Sequence, residues 1–361
     1  MSTVALIELG TGHAECLYSQ VRFLREAGHQ VVILIHHEQA GRVRDFGVPV
    51  EHLPIIELPV SGSGLLPTWR VAVAVRHALK KHAVTRVVFN TASGALFRNI
   101  ALTMPARLPA YVVLHDVHRS MALRLSVSRM SGLLVLAERL AAPCQALMHV
   151  PTTSFYPAWF PPPGPAAATF SKAPGDIWLA SIGQIETTRR SYGALLDAAA
   201  AGWPGTLRIF LLGNTIGADG AAVVQRLRAS PMAGRIEIST SFVADADIHR
   251  LLPQCDGLLP LIDGHERYRS RAVSGAFNLA YGYHLPLILG APGSPALPEI
   301  DDIALAPAPG TTLRDLLCAL AADPAPLHDL RARMRADPQW SFATSQHRYL
   351  LGIGLSAMPL S

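Results

Sequence analysis

The chain is short of cysteine and of charge, and each shortage closes off a class of protein. Its four cysteines, Cys16, Cys144, Cys255 and Cys318, have no metal-ligand or disulfide spacing, so a reducing compartment is expected. Only 16% of the 361 residues are charged and the net charge is +5. A dedicated nucleic-acid binder gathers positive charge on a recognisable motif, and none is present. No apolar run reaches membrane-spanning length, since the nearest, Gly132 to Val150, contains Glu138 and Arg139. The N-terminus has no basic lead and Glu8 interrupts its first apolar run, which argues against a secretory signal. Together these absences predict a soluble, cytoplasmic protein. No repeat of fixed period is visible.

What the chain does have is apolar sequence, half of all residues, in short runs that alternate with helical patterns. That alternation argues for parallel α/β sheets, and the length exceeds one compact core. The Pro-rich stretch from Pro157 to Gly175 interrupts both patterns. It sets the expected division: a first Rossmann-like domain at 1–160, a linker at 161–175, a second at 176–338, and a terminal helix at 339–361.

The first half opens VALIELGTGHAECLYSQVRFLREAGHQVVIL, a strand, a glycine turn, an amphipathic helix and a second strand. Gly10 and Gly12 suit a tight turn in which backbone N–H groups approach a phosphate or sugar. It is not a dinucleotide fingerprint: the third glycine is absent, and the second strand ends in His36 and His37 rather than an acid. Two further strands end in polar residues, RVVFNTASG with Asn90, Thr91 and Ser93, and YVVLHDVHRS with His115, Asp116 and His118. Ligands of open α/β sheets bind beyond the carboxyl ends of strands, so these residues are candidates, with Gly10, Thr11, Gly12 and His13. Two histidines and an aspartate so close in sequence lack the supporting spacing of a metal site, and no metal is expected.

In the second half, the stretch from Arg267 to Leu289, RYRSRAVSGAFNLAYGYHLPLIL, sets Arg269, Arg271 and a Ser274-Gly275 turn ahead of an apolar helical pattern that Pro286 ends. A Ser at a helix entry leaves free backbone N–H groups and the positive end of the helix dipole facing outward, which attract an anion. Upstream, DIWLASIGQIETTRRSYGALLDAA reads as strand, turn, basic pair and helix. Arg189 and Arg190 sit poorly beside the positive end of a helix dipole unless an anion relieves them. LRIFLLGN is a strand buried on both faces, and RIEISTSFVADADIHRLLPQCDGLLPLI follows as strand, loop, helix and strand.

These motifs resemble those of the GT-B nucleotide-sugar glycosyltransferases, most nearly glycosyltransferase family 4. Ser274, Gly275, Ala280, Pro286 and Ile288 match the family's signature order, Gly183, Gln184, Ile185 and Arg189 its Gly-Arg-Leu and following Lys, and Val243, Asp245, Leu251, Cys255 and Asp256 its base-side loop and helix. The family's paired glutamates would fall at Arg271 and Leu279, neither acidic, and alignment does not bring Glu266 or Asp263 there.

The resemblance implies two Rossmann-like domains facing across a cleft, with the C-terminal helix crossing back to the first. It implies transfer of a sugar from a nucleoside diphosphate donor to a saccharide, lipid-linked or other hydroxyl acceptor, retaining and metal-independent, with the sugar nucleotide as co-substrate and no cofactor. Gly12, Gly183, Arg189, Arg190, Arg271, Ser274 and Gly275 would hold the diphosphate, and Ser241, Phe242 and Val243 the base. His115 and Asp116 would act on the acceptor, beside Gly10, Thr11, His13, Asn90, Thr91 and His118. Core packing is the other reading of Phe242. A nucleotide-sugar epimerase and a non-catalytic sugar-nucleotide-binding protein share the architecture and stay open. So do two readings of Thr68 to Val84, where Trp69, Arg70, Arg76, Lys80 and Lys81 sit on an apolar helix: a solvated face, or peripheral contact with an anionic membrane at its inner face.

Overall fold

The computed structural model describes residues 1–46, 53–60, 64–117, 121–162, 171–262, 271–291 and 301–356. The chain divides into two compact units. One comprises Met1–Pro157, Arg271–Val273 and Phe342–Ser361, the other Ala158–Ser270 and Ser274–Ser341. The division falls inside the Pro-rich stretch, and Ala158, Trp159 and Phe160 at its start are buried. The Trp159 N–H donates to the Asn278 carbonyl at 3.1 Å within the second unit.

The first unit is built on seven parallel strands: β1 (Thr3–Glu8), β2 (Gln30–His36), β3 (Ile55–Leu58), β4 (Arg86–Phe89), β5 (Ala110–Leu114), β6 (Gly132–Val135) and β7 (Thr152–Ser154). Their order is β3-β2-β1-β4-β5-β6-β7, so the chain reverses direction across the sheet between β1 and β4. The register sets Val4 opposite Val31 on one side and Arg86 on the other. Runs such as VVILI and YVVL are buried throughout, as strands covered on both faces must be. The last helix, Phe342–Gly352, packs on the first, Glu15–Glu26, with Phe23 and Tyr349 rings 5.7 Å apart. The Tyr349 hydroxyl donates to Gln20 Oε1 at 3.1 Å.

The second unit repeats the plan with six parallel strands: β8 (Ile177–Ile182), β9 (Leu207–Leu212), β10 (Ile236–Ser239), β11 (Gly257–Leu258), β12 (Leu287–Ile288) and β13 (Ala304–Leu305). The order is β10-β9-β8-β11-β12-β13, with the reversal between β8 and β11. Leu195, Leu207, Ile209, Leu211, Leu227 and Leu317 form the centre of its core. No helix among the described residues is long and apolar enough to cross a membrane.

Candidate functional site

In the first unit the polar cluster begins at Glu8, the last residue of β1, which is fully buried. One carboxylate oxygen accepts from the Gly10 N–H at 2.7 Å. The other accepts from Asn90 Nδ2 at 2.6 Å and from the Thr91 hydroxyl at 2.7 Å. Burial pushes its pKa up, and those three donors with the nearby His13 only partly offset it. Asn90 ties the cluster further, since Gln20 donates to its Oδ1 at 2.6 Å and its own Nδ2 reaches the His13 carbonyl at 2.8 Å. The loop expected to turn on Gly12 turns elsewhere. His13 takes the left-handed conformation, at φ 64°, while Gly12 keeps an ordinary backbone with open space where a Cβ would sit. Thr11 and Gly12 are exposed.

His13 brings this loop to the end of β5, where its ring stacks on that of His115 at 3.9 Å. His115 Nε2 lies 2.7 Å from the Asn90 carbonyl, and burial with the adjacent His13 pushes the pKa down to about 3. The ring is therefore neutral near pH 7, its Nε2–H donated to the carbonyl and its Nδ1 carrying the lone pair. Glu15 faces the same stack, 3.4 Å from His13 and 3.1 Å from Arg42. Burial would raise its pKa, but His13 and Arg42 outweigh that and hold it at about 2. Asp116 pairs with Arg271 Nε at 3.5 Å, and Val117 N–H donates to the Arg271 carbonyl at 2.8 Å. Arg271, expected with Ser274 and Gly275, is thus held in the first unit beside Asp116. His118, Asp263, Glu266 and Arg269 lie outside the described residues.

In the second unit the loop after β8 does the same work with opposite charge. Gly183 sits at φ +127°, and a Cβ there would lie 2.3 Å from the guanidinium of Arg190. Arg190 donates to the Pro260 carbonyl at 3.0 Å, to the Ser181 hydroxyl at 3.3 Å and to the Ile182 carbonyl at 2.5 Å. It is a clamp between the ends of β8 and β11. Arg189 is half exposed, pairs with Glu186 at 2.6 Å and donates to Gln184. The helix starts only at Gly193, so both arginines lie in the loop ahead of it. Thr187 donates through its N–H and hydroxyl to Asp219, and Ile185 N–H donates to Asn214 at 2.8 Å. Gly213 and Gly220 permit that close packing, because a Cβ would meet the Gly183 carbonyl at 2.0 Å and the Ile185 carbonyl at 2.1 Å.

The other donor-side candidates are set by elements of the second unit. Ser274 caps the helix Gly275–Tyr283, its hydroxyl accepting from the Ala276 N–H at 3.4 Å, and a Cβ on Gly275 would meet open space. Leu279, at one of the family's glutamate positions, is buried. Ser241, Phe242 and Val243 follow β10, and Phe242 is 57% exposed, which removes core packing as its reason for being there. Sequence reading missed Glu8, Gln20, Glu15, Glu186 and Asp219. A charged residue closing an apolar strand was the available signal for Glu8. The others meet partners supplied by the fold.

No protein-family model matches the chain, and no curated protein sequence does. Solved structures match along its whole length. The Anabaena protein HepE, crystallised with UDP-glucose, is 14% identical over 98% of this chain and 100% of that one, with a TM-score of 0.66. Sucrose-phosphate synthase from Thermosynechococcus elongatus is 15% identical over 97% of both chains, TM-score 0.65. A Listeria monocytogenes protein named as a candidate UDP-N-acetylglucosamine 2-epimerase is 13% identical over 98% and 96%, TM-score 0.63. With two parallel α/β units of seven and six strands, the chain has the GT-B fold.

Proposed function

We propose that the chain is a nucleotide-sugar glycosyltransferase, with the sugar nucleotide held by the second unit and a hydroxyl acceptor by the first. The observation that carries this reading is the exposed Arg189 at the carboxyl end of the central strand β8, in a fold shared with HepE, whose structure holds UDP-glucose. When the glycosidic bond breaks, its electron pair stays on the leaving diphosphate oxygen and negative charge grows there. Arg189, with the backbone amides at Ser274 and Gly275, stabilises that charge without a metal ion. A charged hydrogen bond of this kind contributes about 1.5–3 kcal/mol. Transfer is retaining, as in family 4, and the acceptor is a saccharide or lipid-linked hydroxyl.

On the acceptor side, a His115 imidazole with a pKa of about 3 is a weak base but a fixed hydrogen-bond acceptor. It orients the acceptor hydroxyl, and Asp116 takes the proton. The test is turnover of a panel of UDP- and other nucleoside diphosphate sugars with candidate acceptors. Arg189→Ala should lower turnover strongly in a folded protein, and near-normal turnover would remove its role. If His115→Ala and Asp116→Ala both kept full transfer, the acceptor-side assignment would be wrong. The likeness to the Listeria protein supports a second reading, epimerisation, which release of an isomerised sugar nucleotide without acceptor would reveal.

A further inference from the structure

The charge of this chain is unevenly placed. Between Leu58 and Ala137 lie ten lysines and arginines and a single acid, Asp116, so that segment carries +9 while the remainder of the +5 chain is net negative. Three helices of the first unit fall in this segment: Leu65–Lys81, Gly94–Thr103 and Met121–Val127, none containing an acidic residue. They follow β3, β4 and β5, whose connections all step the same way across the sheet. With right-handed crossovers they therefore cover the same face. They touch as neighbours: Arg76 donates to the Thr103 carbonyl at 3.0 Å and Arg129 to the Leu102 carbonyl at 2.7 Å.

The outward side of these helices is apolar as well as basic. Nine large apolar side chains are exposed among the described residues, and five of them, Leu66, Trp69, Val73, Leu102 and Leu125, are on these three helices. Leu66, Trp69 and Val73 recur at the spacing of one helix face, opposite the buried Val71, Val75, Ala78 and Leu79. Arg70, Arg76, Lys80 and Lys81 are exposed on the same helix. Trp69, at 65% exposure, has an apolar body and a polar N–H, the composition that settles at a lipid–water boundary.

We infer that this three-helix face is a docking surface for an anionic phospholipid bilayer. Leu66, Trp69 and Val73 enter the headgroup and acyl boundary, while the long stems of Arg70, Lys80 and Lys81 let their charges reach lipid phosphates. A nucleic acid would be met by the cations but has no use for apolar side chains standing among them, which favours the bilayer.

The experiment is co-sedimentation of the full chain with vesicles of phosphatidylcholine alone and of phosphatidylcholine with phosphatidylglycerol at about two to one. Binding to the anionic vesicles only is expected, weakening as salt rises. Trp69→Ala and Leu66→Ser should each lower partitioning about tenfold. Lys80→Gln and Lys81→Gln should lower it about fivefold each and flatten the salt dependence. All four side chains are exposed, so an unchanged thermal midpoint separates lost docking from lost fold. The proposal is overturned if anionic vesicles do not sediment the protein or if Trp69→Ala binds as well as wild type. It is equally overturned if duplex DNA binds with the same affinity regardless of Trp69, or if the apolar variants act by abolishing self-association.

Discussion

The ends of β1 and β8 occupy the same place in their sheets, each the strand beside the topological reversal, yet they are finished in opposite ways. β1 ends in a buried carboxyl that gathers the Gly10, Asn90 and Thr91 donors around itself. The segment after β8 continues into Gly183 and two arginines, one sunk among carbonyls and one half exposed. The first arrangement fixes two loops by a buried carboxyl and so has its hydrogen bonds already made. The second fixes its loop with Arg190 and holds Arg189 half exposed against Glu186 and Gln184. One topology thus supports an end organised around a carboxyl and an end organised around a guanidinium, and the difference lies in a few side chains at the strand ends.

Removing the buried Glu8 carboxyl should have the largest effect. Glu8→Ala leaves the Thr91 hydroxyl and the Gly10 N–H without their acceptor and Asn90 Nδ2 with the His13 carbonyl alone, and a loss of about 3 kcal/mol in denaturant unfolding is expected. Arg190→Ala comes next, at about 2 kcal/mol, because the carbonyls of Ile182 and Pro260 lose their donor. A stability within about 0.5 kcal/mol of wild type would show that Arg190 is not the clamp described.

Within the first unit the buried groups differ in their response to pH. His115 is held at about 3 against an ordinary value of about 6.5, so its contribution is present above pH 6.5 and lost as pH falls toward 3. Glu15, held at about 2, loses its contribution as pH falls from the ordinary carboxylate range toward 2. Glu8 works the other way: its pKa is raised, so stability falls as pH rises through and above the ordinary carboxylate range. Unfolding free energies measured from pH 3 to 7 should therefore lose acid sensitivity in His115→Phe and Glu15→Gln. If both variants kept the wild-type slope, the charge states assigned around the His13–His115 stack would be wrong.

Much of the fold was legible because buried parallel strands are written as continuous apolar runs, and the runs LRIFLL and YVVL end where β9 and β5 end. The placement of His115 and Asp116 at the carboxyl edge followed directly. The local geometry did not. The left-handed turn residue is His13 rather than a glycine, because the loop is pinned by Asn90 and the His115 ring rather than by its own composition. Arg190 looked like the twin of Arg189 until Pro260, distant in sequence, supplied the carbonyl that occupies it. Arg271 is a near neighbour of Ser274 in the chain, but it pairs with Asp116, two residues beyond β5, and belongs to the first unit. Pairings of this kind depend on which strands lie adjacent, and no local pattern encodes them.

A smaller effect sharpens the role of the exposed arginine. Hydrogen bonds from Thr188 and Arg189 outweigh burial and hold Glu186 in its charged form, and Glu186 then competes with any anion for Arg189. Glu186→Gln should strengthen UDP binding about threefold by removing that competitor, with little change in stability. Unchanged or weaker binding would mean that Glu186 positions Arg189 rather than masking it.

In the proposed site Arg189, and not its neighbour Arg190, meets the donor diphosphate. Calorimetric titration of UDP and UDP-glucose into wild type and Arg189→Ala tests it directly. Measurable binding to wild type is expected, with about tenfold or more weaker binding to Arg189→Ala and an unchanged unfolding midpoint. Equal affinity in the two folded proteins would contradict it and remove the cationic end of β8 from the site.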